Sequence, residues 1–267
     1  MSSHVGCLIL AGGQGTRLGF DGPKGCVELP LKEKKTLFQI LLEKIKDKTA
    51  PVAIMTSPIN HEATFDYLNK NGFFGLKNVI LFQQEMEGTY PNGNGKAFPY
   101  FCRAGIWEEW KERGVKYLQV IPIDNPLAIP FDEDLIAANK EVELVLRGVK
   151  RESPVEKMGV ILEGKQLRVE EYTETVQRDN DLLGNTGIFS CSMDFIQRIS
   201  TIDLPQHTVK KKVGGRWVSK KEYFILDIFP YAKNFKILVS DRNKYFAPLK
   251  NASGPDSLET VAKALMT

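Results

Sequence analysis

Histidine and cysteine are scarce in this chain, and several chemistries go with them. His4, His61 and His207 stand far apart with no metal-ligand spacing, so surface or helix-cap roles are expected of all three. Cys7, Cys26, Cys102 and Cys191 include no C-x-x-C pair, which argues against a disulfide framework or a structural zinc site. Neither a Ser-His-Asp nor a Cys-His arrangement for covalent catalysis is visible. No apolar run approaches the roughly eighteen residues of a membrane span, and no charged segment leads into a long apolar one at the start; a soluble, cytoplasmic protein with no membrane partner is expected. The formal charge of +3 comes from interspersed acids and bases, so no nucleic-acid partner is indicated. Lys210-Lys211-Lys212, with Arg216 and Lys220-Lys221 close behind, is the nearest thing to a basic patch and reads as a solvated surface loop. Internal repeats, low-complexity segments and interdomain linkers are also missing, so the 267 residues, 42% of them hydrophobic, are read as one domain.

What the chain does have is a glycine loop carrying cations. Val5–Leu10 is a short apolar run that reads as a buried strand, and Ala11-Gly12-Gly13-Gln14-Gly15-Thr16-Arg17-Leu18-Gly19 follows it directly, then Pro23-Lys24-Gly25. Glycines let backbone N–H groups approach a ligand closely, while Arg17 and Lys24 supply charge for oxyanions, so the loop is suited to phosphate. Gly13, Gly15 and Gly19 are spaced G-x-G-x-x-x-G, not the G-x-G-x-x-G of a dinucleotide fold, and Lys24 is followed by Gly25, not the Ser or Thr of a P-loop.

Further apolar runs at Val52–Thr56, Val79–Phe82 and Tyr117–Ile123 alternate with helical patterns over 36–48, 60–70 and 97–111, the appearance of stacked βαβ units on a parallel sheet. Beyond Pro130, the segments 142–149, 158–162 and 166–172 look like strands joined by turns, suggesting antiparallel additions. Ser219 and Glu222 have capping-box spacing ahead of Tyr223–Phe229, which predicts a helix ending near Pro230, then a strand over 235–239 and a closing helix over 256–266. Trp107 and Trp110, at helical spacing, are expected to pack, not to stack on substrate.

Asp124 lies just past the strand-like run Tyr117–Ile123, at the sheet edge where ligands of open α/β sheets gather. It is either a loop residue in an Asx turn with Asn125 or the anchor of a divalent cation, since magnesium is satisfied by one or two carboxylates plus phosphate oxygens and water. Asp227 interrupts an apolar run; a structural partner such as a lysine is the expected explanation, with a second metal ligand as the alternative.

The glycine loop with P-K-G resembles the signature of UDP-sugar pyrophosphorylases, and most of all the eukaryotic-type UDP-N-acetylglucosamine pyrophosphorylases. Lys35–Ile40, Met55-Thr56-Ser57, Phe82-Gln83-Gln84, Asp124-Asn125, Asp227-Ile228-Phe229 and Pro248-Leu249-Lys250-Asn251-Ala252 extend the likeness in the family's order. The resemblance implies a Rossmann-like, mostly parallel mixed sheet flanked by helices, of the GT-A-like nucleotide-diphospho-sugar transferase kind. Residues 1–130 would then form a nucleotide-binding half and 131–267 a sugar-phosphate half. It also implies a reaction in which a sugar-1-phosphate oxygen attacks the α-phosphorus of UTP, releasing pyrophosphate, with Mg²⁺ or Mn²⁺ as cofactor. Arg17, Lys24 and Lys250 would be catalytic, Lys250 on the sugar phosphate. Leu10, Gly12, Gly13, Gln84, Gly93 and Asn94 would bind the nucleotide, Gln84 reading the uracil edge. Gly159, Glu171 and Asn185 would hold the sugar, and Asp124 the metal.

The chain departs from the family pattern at Pro122, where a polar residue is common, at Lys96, where glycine is usual, at Gly184, where phenylalanine is usual, and at Leu226, where an aromatic is common. The last two remove bulk, so a roomier sugar pocket with some glucose or galactose turnover is expected. N-acetylglucosamine-1-phosphate is the expected sugar substrate and glucose-1-phosphate the main competitor. A non-catalytic nucleotide-sugar-binding regulator is the rival of another class, though it would have little reason to keep Arg17, Lys24, Asp124 and Lys250 together. A dinucleotide-dependent oxidoreductase would need an acidic residue after the second strand, which Met55-Thr56-Ser57 does not offer. Relative to the family, the chain reads as a minimal catalytic core, and a monomer is expected.

Overall fold

Alternation along the first strand organises the molecule. Val5–Leu10 is buried along its whole length: Leu8 and Leu10 point into one apolar cluster with Phe101, Trp110 and Phe189, and Cys7 and Ile9 into another with Phe38, Leu41 and Ile54. A strand with an apolar layer on each face is the central strand of a sheet covered on both sides. The computed structural model describes residues 4–171, 181–213 and 216–266.

Val5–Leu10 pairs in parallel with Val52–Thr56 and with Tyr117–Pro122, and Val79–Gln83 continues the parallel block beyond Val52–Thr56. On the other side the long strand Gly184–Ser192 runs antiparallel to Tyr117–Pro122 and bridges to Val160–Leu162, which pairs antiparallel with Arg168–Glu170. Leu144–Val149 pairs antiparallel with Gly184–Ser192 and parallel with Phe235–Ser240, completing a nine-stranded sheet. Only Gly184–Ser192 and Arg168–Glu170 oppose the common direction, so the mostly parallel mixed sheet flanked by helices is as expected from sequence.

Three elements differ from expectation, each for a tertiary reason. The single helix expected over 97–111 breaks at Gly105, whose φ of +74° ends Ala97–Arg103 and starts Ile106–Glu112. The break places Trp110 edge-on to Phe101, at 5.3 Å between ring centres, and directly against Gly6, where an added Cβ would lie 2.1 Å from the indole. The lysine-rich stretch is a β-hairpin, His207–Val213 with Arg216–Glu222, and not a loop; its turn at 214–215 lies outside the described residues. Ser219 and Glu222 therefore belong to a strand, not a capping box, and the expected α-helix is a 3₁₀ helix, Ile225–Tyr231, around Pro230, which cannot donate within it. Its cap is supplied from afar: the Ile225 N–H donates to Asn94 Oδ1 at 3.0 Å. The closing helix is Leu258–Met266, beginning after Asp256 takes a left-handed φ of +56°. Tyr172, expected at a strand end, lies outside the described residues. Among the described residues no helix is long and apolar enough to cross a membrane.

Candidate active site

Carboxyl ends of the parallel strands Val5–Leu10, Val52–Thr56, Val79–Gln83 and Tyr117–Pro122 share one edge, and the residues singled out in the first half of the sequence collect there. Buried Leu10 is the last residue of its strand, so Gly12 and Gly13 leave the sheet at that edge. Gly12 lies against Gln84 so closely that a Cβ would come within 2.4 Å of Gln84 Oε1; here glycine is demanded by close approach, not by its φ. Gln84 is buried, and its backbone N–H donates to Thr56 O at 2.9 Å.

The loop is held by two residues whose role the sequence did not disclose. Asn60 Nδ2 donates to Ala11 O at 2.9 Å and Gly13 O at 3.1 Å, and Ser57 Oγ donates to Gly12 O at 2.8 Å. These bonds fix the course of the loop by its carbonyls, while the Ala11 and Gly15 amides are tied to Met55 O at 2.8 Å and Gly22 O at 2.9 Å. Ser57 and Asn60 flank a turn, so their spacing alone reads as a helix start; only the fold shows what they bind.

Lys24 and Asp124, a hundred residues apart, meet: Lys24 Nζ lies 3.4 Å from Asp124 Oδ2, and both side chains are half-buried. Lys24 also donates its backbone N–H to Gly13 O at 3.0 Å. Arg17 sits exposed on the single 3₁₀ turn Thr16–Leu18, on the same loop. Leu249 donates its N–H to the backbone carbonyl of Asp124 at 2.7 Å, which brings the segment carrying Lys250 beside Asp124. Asn125 makes the junction firm. Its Nδ2 donates to Tyr245 O at 2.7 Å and its Oδ1 accepts from Ala247 N at 3.1 Å, a clamp on the Lys250 segment, while the same Oδ1 accepts from Leu127 N at 3.3 Å in a local turn made by Asn125 and not by Asp124.

A half-buried lysine supports the same loop. Lys44 Nζ donates to Pro126 O and to Ala128 O, just past Asp124. Burial disfavours its charged form and pulls its pKa from 10.5 down to about 8. Below about pH 8 folded and unfolded chains both carry this proton and the folded state bears the full desolvation cost. Between about 8 and 10.5 the folded lysine has released it while the unfolded one has not, so stability from this group rises with pH across that window. Denaturant unfolding at pH 8 and pH 10 is expected to show that rise, and Lys44→Met to flatten it.

Gly93 and Asn94 form the next wall. Gly93 has φ +86° and bridges to Tyr223, whose carbonyl would lie 2.4 Å from an added Cβ. Asn94 caps the 3₁₀ helix as described, and Lys96, the departure from the usual glycine, sits 4.0 Å over the Tyr223 ring. Asp227 on that helix pairs with His207 Nε2 at 2.7 Å, so its partner is a histidine and not the expected lysine. The His207 ring stacks on Phe224 at 4.7 Å and remains partly exposed at the surface, as expected.

On the sugar side, Asn185 donates its N–H to Gly159 O at 2.8 Å. Continuing the Val160–Glu170 register places Glu171 opposite Gly159, so the three expected sugar residues are brought together, Glu171 exposed at the end of the described stretch. At Gly184 the Met158 side chain occupies the space a side chain would take, its Cε 2.2 Å from where a Cβ would be. Leu226 packs against the large core cluster. Burial pushes the Cys26 thiol, close to Lys24 in the chain, up to about 12, so it is no thiolate nucleophile.

A glycine loop, two cations and one carboxylate assembled at the end of a parallel sheet match a known family. The family model described as UTP–glucose-1-phosphate uridylyltransferase matches residues 1–88 and 83–253. The chain belongs to this family. A probable UDP-N-acetylglucosamine pyrophosphorylase of Schizosaccharomyces pombe is 31% identical over 94% of this chain and 67% of its own length. UDP-N-acetylglucosamine diphosphorylase 2 of Arabidopsis thaliana is also 31% identical, and the chain spans 62% of that protein's length. Among solved structures, that of the uridine diphosphate N-acetylglucosamine pyrophosphorylase from Trypanosoma brucei superposes with a TM-score of 0.84 at 26% identity, covering 98% of this chain and 65% of that one. As a family member this chain keeps the glycine loop and P-K-G intact, and the departures noted in its sequence fall at Lys96, Pro122, Gly184 and Leu226.

Proposed function

We propose that this chain is a uridylyltransferase that joins UTP to a sugar-1-phosphate, with N-acetylglucosamine-1-phosphate preferred, to give UDP-sugar and pyrophosphate. One observation carries the reading: Lys24 and the Lys250 segment, from opposite ends of the chain, are both tied to Asp124, by a 3.4 Å ion pair and a 2.7 Å hydrogen bond. That geometry suits two phosphates approaching one another. The sugar-phosphate oxygen forms a bond to the α-phosphorus as the bond to pyrophosphate breaks, and no protein nucleophile is needed. The chain's task is to align two polyanions and hold charge. Gly12 and Gly13 amides, Arg17 and Lys24 hold the nucleotide phosphates; Gln84, Gly93 and Asn94 hold the base; Lys250 holds the sugar phosphate; Gly159, Glu171 and Asn185 orient the sugar.

Mg²⁺ or Mn²⁺ fits the donor set at Asp124. Among the described residues no group of three or more His, Cys, Asp or Glu is placed to hold a metal, so Asp124 would be joined by phosphate oxygens and water, the ligand set magnesium favours. When bound, the cation supplies positive charge against the phosphate oxygens. The four free cysteines suit a reducing compartment such as the cytoplasm. Pyrophosphate release from UTP against a panel of sugar-1-phosphates tests the function: release with N-acetylglucosamine-1-phosphate above all others is expected, dominance of glucose-1-phosphate would reassign the sugar, and UTP binding without release would leave a nucleotide-sugar binder.

A further inference from the structure

Arg147 sits on Leu144–Val149, a strand buried along its whole length, and its side chain is only 3% exposed. A charge so placed needs partners. Its Nη2 donates to Asp132 Oδ2 at 2.5 Å, its Nη1 donates to Ser240 Oγ, and its Cζ lies 3.8 Å from the centre of the Tyr245 ring. These three partners belong to two different segments. Asp132 closes the loop that starts at Asp124: its side chain caps the helix Glu133–Asn139 by accepting from the Asp134 and Leu135 amides, and its own N–H donates to Gln119 Oε1 at 3.2 Å. Ser240 and Tyr245 bracket the short helix Arg242–Tyr245 on the arm that leads to Lys250. Tyr245 is held twice, at its carbonyl by Asn125 Nδ2 at 2.7 Å and at its ring by Arg147. Arg147 therefore joins the Asp124 loop to the Lys250 arm.

Stability alone is a poor explanation for such a residue. Desolvating two charges offsets most of their attraction, and well-packed apolar side chains often replace a buried pair without loss. Arg147 is not even fully satisfied, since its Nε is buried without a hydrogen-bond partner among the described residues. What a guanidinium supplies and an apolar chain does not is direction: a planar fork can pair with a carboxylate, donate to a hydroxyl and stack on a ring at once, fixing three groups relative to one another. We propose that Arg147 is a positioning residue for the transfer: it sets the arm carrying Lys250 against the loop carrying Asp124, and thereby the approach of the sugar phosphate to the nucleotide. The proposal rests on the uridylyltransferase reading above and adds to it a residue that acts from the core, through Tyr245 and Asp132.

The test compares the parent with the paired variant Arg147→Met/Asp132→Asn, in which asparagine keeps the helix cap and no charge is left unpaired, with Tyr245→Leu, and with the three changes combined. Melting temperature, UTP affinity by calorimetry, and kcat and KM for N-acetylglucosamine-1-phosphate are measured for each. The paired variant is expected to melt close to the parent and to bind UTP as the parent does, while kcat/KM for the sugar phosphate falls by on the order of a hundredfold, the effect of displacing a reacting group by about an ångström. Tyr245→Leu, at a half-buried ring, should show the same kind of loss, and the triple variant should lose little more than the paired one, because both act through one contact. A residue with only a structural role would give back activity along with stability. Parental kcat/KM in the folded paired variant, equal losses of UTP and sugar-phosphate binding, or losses that add in full in the triple variant would overturn the proposal and leave the uridylyltransferase reading standing. If the paired variant melts too low to assay, Arg147→Lys takes its place: it keeps a cation for Asp132 but not the planar stack on Tyr245, so the same loss is expected and full activity would overturn the proposal. A parent inactive with every sugar-1-phosphate would overturn both.

Discussion

Asp124→Asn is expected to lower kcat for UDP-sugar formation by at least ~100-fold while changing the KM for UTP only modestly, the pattern of an interaction that strengthens in the transition state. The substitution keeps the shape of the side chain and removes its charge. Lys24, 3.4 Å away, loses an ion-pair partner that is half-buried, so nucleotide affinity is retained or slightly raised, because the freed cation is available to phosphate. The backbone carbonyl of residue 124 still accepts from Leu249, so the Lys250 segment stays in place and the loss is one of charge alone. Steady-state kinetics with UTP varied at saturating sugar-1-phosphate measures the split, and a parallel titration with chelator checks the divalent-cation requirement. Full activity in excess chelator would remove the metal role from Asp124, and a large rise in KM with kcat unchanged would move Asp124 from the chemistry to nucleotide binding.

Lys24→Ala and Lys250→Ala are expected to damage different substrates, each by on the order of tenfold or more in affinity, the scale of a charge-assisted contact to a phosphate. Lys24 is on the glycine loop, bonded through its backbone to Gly13, so its loss should fall on UTP. Lys250 is on the opposite arm, its N–H bonded to Asp256 O at 2.8 Å and its ammonium 5.9 Å from the centre of the Phe246 ring, which packs with Met158. Calorimetry of UTP binding should weaken for the first variant and survive for the second. Tight UTP binding in both variants would refute the opposed clamp.

Long-range pairings separate what could be read in the chain from what could not. Val5–Leu10, Val52–Thr56 and Tyr117–Pro122 are legible because apolar runs of that length, separated by helical patterns, have few ways to bury themselves other than a parallel sheet. The glycine loop with Arg17 and Lys24 is legible for a local reason too: close backbone approach and positive charge must both be written at the loop itself. Elements whose conformation depends on a distant partner are not. The 3₁₀ helix Ile225–Tyr231 is started by Asn94, and the break at Gly105 is fixed by where Trp110 finds room beside Phe101. Asp227 announces by its apolar neighbours that something must pair with it, but that the partner is His207 follows from the hairpin's placement.

The amino-acid sequence by itself determined the mixed α/β architecture, the glycine loop with its two cations and the carboxylate at the end of its strand, since each is specified by contiguous residues and their intrinsic geometry. Only the tertiary structure decided that Lys24, Asp124 and the Lys250 segment converge, that Ser57 and Asn60 hold the glycine loop, and that Met158 fills the space over Gly184. Those facts depend on contacts between residues tens to hundreds of positions apart, whose cost in chain entropy is met only when the whole core is buried, and no local pattern encodes the distance between them.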